Sequence, residues 1–169
     1  MNTLVVYESM WGNTRAVAEA VAAPLGDDVT LVEVNDAPDK LPDDLDLLVV
    51  GGPTHAFSMS RASTRRDAVS KGASTGHVER GIREWLDEVV APDNLSVATF
   101  DTRVGSVRHL PGSAAKAAGR EVRRDHVGRL VASESFYVDD MAGPLQEGEL
   151  DRARAWGESL AARTGTSHT

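Results

Sequence analysis

Ser9-Met10-Trp11-Gly12-Asn13-Thr14 is the stretch of this chain best suited to chemistry. It lies between an apolar run, Thr3–Tyr7, and a run with helical spacing at 15–23. The first N–H groups of a helix have no partner inside it, and the helix dipole favours negative charge there. Gly12 lets the backbone come close to a guest, and Ser9, Asn13 and Thr14 add side-chain donors. The turn therefore suits an anion such as a phosphate. The same residues would also cap an empty strand-to-helix turn.

Two more stretches carry reactive or charged side chains. Gly51-Gly52-Pro53-Thr54-His55 leads into a polar run at 56–76 that gathers Arg61, Arg65, Arg66 and Lys71 against Asp67. A loop of that length inside a domain is usually functional or disordered. The run 101–112 contains Asp101, Thr102, Arg103, Arg108 and His109 and is net basic. Other chemistries lack their signatures. There is no Gly-x-x-x-x-Gly-Lys-Ser/Thr and no Gly-x-Gly-x-x-Gly after the first strand. No Gly-x-Ser-x-Gly elbow occurs, and the five histidines lack close metal-ligand spacing. With no cysteine there is no disulfide, thiolate zinc site or cysteine-ligated cluster.

The elements that must position these residues alternate. Strands are expected at Thr3–Tyr7, 29–34, 47–50, 95–100 and 130–138, the last interrupted near 133–135. Helices are expected at 15–23, at 82–90 up to Pro92, and from a Ser113 cap to Arg124. The last helix follows Gly148 with an inward stripe of Leu150, Ala153, Trp156, Gly157 and Leu160, and a helical turn is expected at 65–70. Alternation of this kind predicts an α/β fold with a parallel sheet and helices on both faces. Five strands in order 2-1-3-4-5 put a switch point between strands one and three, with all three polar stretches at one sheet edge.

At 169 residues one domain is expected over 1–163, with a polar tail at 164–169. Hydrophobic residues make up 41% and charged residues 26%, as in soluble globular proteins. No apolar run reaches membrane-spanning length. Met1 leads straight into a strand without a signal-peptide pattern, and a cytoplasmic location is expected. A net charge of −8 argues against nucleic-acid binding.

The run Val5 to Thr14, followed by Ala16-Val17-Ala18, resembles the FMN phosphate loop of flavodoxin-like proteins. Residues 49–55 are similar to the family's second loop, where Gly-x-Pro-Thr follows the third strand. Thr99-Phe100-Asp101-Thr102 stands where its ring-binding loop begins. Gly143-Pro144-Leu145 and Gly148-Glu149-Leu150 are similar to its C-terminal helix entry. The resemblance implies a flavodoxin-like three-layer sandwich holding one non-covalent FMN. Ser9, Met10, Trp11, Gly12, Asn13 and Thr14 would hold the phosphate. Pro53, Thr54, His55 and Phe57 would lie along the ribityl chain and ring, and Phe100, Asp101, Thr102 and Arg103 would supply the other ring contact.

Two departures bear on the ring. Trp11 stands where many flavodoxins have Thr or Ser, and the third loop has no Tyr to stack on the outer face, leaving Phe100, His109 or His55 for that place, or that face open to a substrate or partner. A reduced flavin is anionic, so the arginines of the second and third loops would make its potential less negative than in acidic-rimmed flavodoxins. The resemblance implies electron transfer to a redox partner, and the basic loops suggest a partner with an acidic docking face. The alternatives are an FMN-dependent quinone- or protoporphyrinogen-type oxidoreductase taking a small quinone-like substrate, and a flavin-free interaction module. A phospho-acceptor receiver shares the strand order, but Glu8-Ser9 and Gly51-Gly52 stand where its carboxylates belong.

Overall fold

The computed structural model describes residues 1–74 and 77–165. Strand β1, Thr3–Tyr7, is buried at all five positions. It sits between β2, Val29–Glu33, and β3, Leu47–His55, parallel to both, with Thr3 opposite Val29 and Leu47. Strands β5, Ser96–Val104, and β6, Arg129–Val138, extend the sheet to the order β2-β1-β3-β5-β6. The five parallel strands thus run in the expected order. A short antiparallel strand, β4 at Ser58–Met59, adds to the end of β3 and was not expected.

Alternate side chains of each central strand enter different cores, because the sheet is covered on both faces. Leu4, Val6, Leu48 and Val50 pack with Ile82, Trp85 and Leu86 of α3, Ile82–Glu88, and with Ala114, Ala117, Ala118 and Val122 of α4, Ala114–Arg124. Val5, Tyr7, Leu47 and Val49 pack with Val17, Ala18 and Val21 of α1, Asn13–Ala22, and with Ala153 and Leu160 of α5, Glu149–Gly165. Gly157 lets α5 approach α1 closely, since a Cβ there would stand 2.3 Å from the Val21 carbonyl oxygen.

Several boundaries differ from the expectations for local reasons. β3 runs five residues and β5 four residues past their expected ends, so Gly51–His55 and Asp101–Val104 are strand, with Gly52 opposite Asp101 and Pro53 opposite Thr102. The run 56–76 is not one long loop. It holds β4 and a nine-residue helix, α2 at Ala62–Ser70, and its last two residues lie outside the described ones. Helix α3 stops before Val89. Val90 leaves it to donate to the Asp39 carbonyl at 2.8 Å and is 57% exposed instead of inward. Strand β6 is unbroken at 133–135, and its register shift lies opposite Val97 and Ala98. Leu150 is 38% exposed and does not join the α5 stripe. Residues 164 and 165 belong to α5, and the rest of the expected tail, 166–169, lies outside the described residues. No helix among the described residues is long and apolar enough to cross a membrane.

Candidate functional site

β1 ends at Tyr7, and the chain turns through Ser9–Gly12 into α1. Gly12 caps the helix at φ 94°, a left-handed conformation that glycine adopts without strain. The Ser9 hydroxyl accepts from the Gly12 N–H at 3.1 Å and the Arg15 N–H at 3.3 Å, which fixes the turn. The N–H groups of Asn13 and Thr14 meet no acceptor among the described residues. Thr14 Oγ1 lies 2.7 Å from Thr102 Oγ1, joining the turn to the end of β5. Met10 accepts the Ser74 N–H at its carbonyl, tying in the segment after α2.

A cleft opens beside this turn, enclosing about 850 Å³ counted out to the solvent at its mouth. The turn contributes Met10, Trp11, Asn13 and Thr14. The end of β3 contributes Pro53, Thr54 and His55, and the end of β5 contributes Thr102, Arg103 and Val104. Helix α2 forms a further wall through Thr64, Asp67 and Ala68, and Ala56 after β3, Val138 at the end of β6 and Met141 beyond it complete the lining. His55 Nδ1 lies 3.0 Å from Thr64 Oγ1. Burial first, and the Arg65 charge second, push the imidazole down to about 4, so it is neutral at neutral pH. Asp67 is ion-paired to Lys71 at 2.9 Å.

A family model for the flavodoxin domain matches residues 4–65. No curated protein sequence matches. Among solved structures, flavodoxin 2 from Bacillus cereus matches 96% of this chain and 99% of its own, at 15% identity and TM-score 0.64. A flavodoxin from the domain Archaea matches 98% and 99%, at 16% identity and TM-score 0.62. General stress protein 14 of Treponema denticola, solved in complex with FMN, matches 97% and 99%, at 13% identity and TM-score 0.54. The chain has a flavodoxin-like fold.

In this flavodoxin-like frame nine of the fourteen expected site residues line the cleft: Met10, Trp11, Asn13, Thr14, Pro53, Thr54, His55, Thr102 and Arg103. Ser9 and Gly12 act behind them by shaping the turn. The other three stand elsewhere. Phe57 is 45% exposed on the β3–β4 turn, outside the lining. Phe100 is a core side chain, edge-on to Phe136 and Trp156 with centroids 6.2 Å away in each case. Its ring fills the space above Gly51, where a Cβ would meet it at 2.0 Å. Asp101 turns beneath α4, where Oδ2 accepts the Ala115 N–H at 2.8 Å. Among the residues not expected, Thr64 and Ala68 share one face of α2 at helical spacing, a pattern the sequence displays. Val138 and Met141 have no motif.

The basic segment 61–71 spends most of its charge internally. Arg65 is fully buried. It donates to Ser60 Oγ at 2.8 Å and the Val78 carbonyl at 2.6 Å, and it ion-pairs with Glu84. Ser60 in turn donates to the buried Glu8 carboxylate at 2.5 Å, which also accepts the Ile82 N–H at 2.9 Å. Burial pushes the Glu8 carboxyl up. Arg66 faces Glu79, and Lys71 faces Asp67. Arg61 and Arg83 lie beside each other at β4 and form no ion pair among the described residues. Away from the cleft, the carboxylates of Asp87, Glu121 and Asp125 come together, with the Arg124 guanidinium paired to all three.

Proposed function

We propose that the chain binds one non-covalent FMN in this cleft and carries electrons between redox partners in the cytoplasm. The observation that carries the reading is the meeting of the α1 N-terminus, with its free Asn13 and Thr14 N–H groups, and the ends of β3 and β5 in a single cleft. Asn13 and Thr14 offer unaccepted N–H groups to a phosphate, and Trp11 Nε1 is buried without an acceptor among the described residues. Pro53, Thr54 and His55 on one side, with Thr102, Arg103 and Val104 on the other, give partly apolar walls for a flat ring system. This donor set fits FMN. Bound there, FMN supplies the one- and two-electron chemistry that the side chains lack. The neutral His55 shares one hydrogen with Thr64 and adds no charge to the cleft.

The protein is expected to quench FMN fluorescence at one-to-one stoichiometry. Thr14→Val removes a hydroxyl at the anion end and weakens FMN binding by about tenfold to a hundredfold, the range for a hydrogen bond to a charged group. Absence of quenching at micromolar protein overturns the reading. Helix α2 over the cleft favours a second reading, in which Thr64, Asp67 and Ala68 help to enclose a small quinone-like substrate. Steady turnover of NAD(P)H with a quinone, without a reductase, would select this second reading. The partner in the first reading presents an acidic face to Arg61 and Arg83, because complementary charge steers encounter.

A further inference from the structure

Arg103 is a buried cation that the fold leaves unpaired. Its residue is 6% exposed and lines the cleft. One guanidinium nitrogen donates to the carbonyls of Val107 at 3.0 Å and Leu110 at 3.2 Å. Its Nε meets no acceptor, and no carboxylate forms an ion pair with it among the described residues. Asp101, two positions back, accepts the Ala115 N–H at Oδ2 and feels the Arg103 charge without forming an ion pair with it, and burial pushes its carboxyl up, away from the charged form. Asp67, the carboxylate of the cleft wall, is taken by Lys71. Carbonyls solvate a guanidinium but do not neutralise it, and an uncompensated buried charge is costly. A chain with 26 acidic residues against 18 basic ones has carboxylates to spare, yet none among the described residues forms an ion pair with Arg103.

We infer that Arg103 makes the cleft prefer the reduced over the oxidised form of its flavin. This inference rests on the FMN reading. Uptake of two electrons from a mediator dye and one proton from buffer turns the neutral ring into a mono-anion. A fixed cation in a cleft wall lowers the free energy of that anion and changes that of the neutral ring little. The ratio of the two affinities fixes the shift in two-electron potential, and a tenfold ratio corresponds to about 30 mV.

The test is a spectroelectrochemical titration of the FMN-loaded protein beside free FMN in the same buffer, with Arg103→Gln, Arg103→Lys and Arg108→Gln. Arg108 is exposed, with its guanidinium 6.0 Å from the Tyr137 ring centre, and serves as the control. The wild-type potential is expected at or above that of free FMN. Arg103→Gln is expected to lower it by about 30 mV or more, a tenfold loss of preference for the reduced form. Arg103→Lys keeps most of the preference, and Arg108→Gln keeps all of it. Affinity for oxidised FMN, read by fluorescence, stays within a few-fold in Arg108→Gln, and in the Arg103 variants it is measured so that the potential is read as the ratio of reduced to oxidised affinity. A wild-type potential well below that of free FMN overturns the inference without any variant. A potential unchanged in Arg103→Gln also overturns it. So does loss of the distinction between FMN and riboflavin in Arg103→Gln, which would make Arg103 a phosphate contact. Failure to bind FMN removes the reading beneath it, whereas binding with an unfavourable potential removes this inference alone.

Discussion

His55 stays neutral at a pH where an exposed histidine begins to charge, and this has a measurable consequence. The imidazole titrates near 6.5 when unfolded and about 4 when folded. As pH falls the unfolded chain takes up the proton first, so stability declines between pH 6.5 and 4 and is unaffected by this group above that window. The full loss is at most about 3 kcal/mol, from the size of the shift. Urea melts across this range should show the decline, and His55→Gln should flatten it. Residues such as Ser9, Gly12 and Thr14 were legible because a strand, a turn and a helix start are local in sequence. Phe100 was not. Its place in the core follows from standing opposite Gly51 on the neighbouring strand, a register that no local pattern records.

Among the elements, the β3–β4 turn was the least readable. Two-residue hairpin turns prefer glycine or asparagine because both positions take positive φ. Here Ala56 and Phe57 hold φ 48° and 61° without either. Ala56→Gly should relieve this and raise stability by about 1 kcal/mol in chemical denaturation, the scale of the left-handed penalty. The extensions of β3 and β5 were hidden for a related reason. Glycine, proline and polar residues at 51–55 and 101–103 read as loop, and only pairing with each other makes them strand. Their order around β1 was legible, since continuous apolar runs and alternating helices limit a parallel sheet to few arrangements. Gly51→Ala would drive a methyl into the Phe100 ring and should destabilise the protein by about 1–3 kcal/mol, seen as a lowered urea midpoint.

Over the whole molecule, a net charge of −8 coexists with cations at the cleft and hairpin. Charges farther apart than about 10 Å are largely screened near 0.1 M salt, so the local sign should govern encounter. Oxidation of the reduced, FMN-loaded protein by ferricyanide should slow as salt rises from about 10 to about 200 mM. A rate that rises with salt would mean that the overall negative charge governs, and would count against an acidic-faced partner. The sequence displayed the charge totals, but not that Arg65 is enclosed with Glu84 while Arg103 is held by carbonyls without an ion pair among the described residues. The hydroxyl contact between Thr14 and Thr102 joins residues 88 positions apart. The cleft therefore exists only once the sheet has closed from β1 to β5, and no fragment of the chain carries a partial version of it. Ligand occupancy and global folding are consequently one equilibrium. A ligand at a hundred times its dissociation constant should add about 2.7 kcal/mol to unfolding, and hydrogen exchange in the strands on both sides of β1 should slow together when it binds.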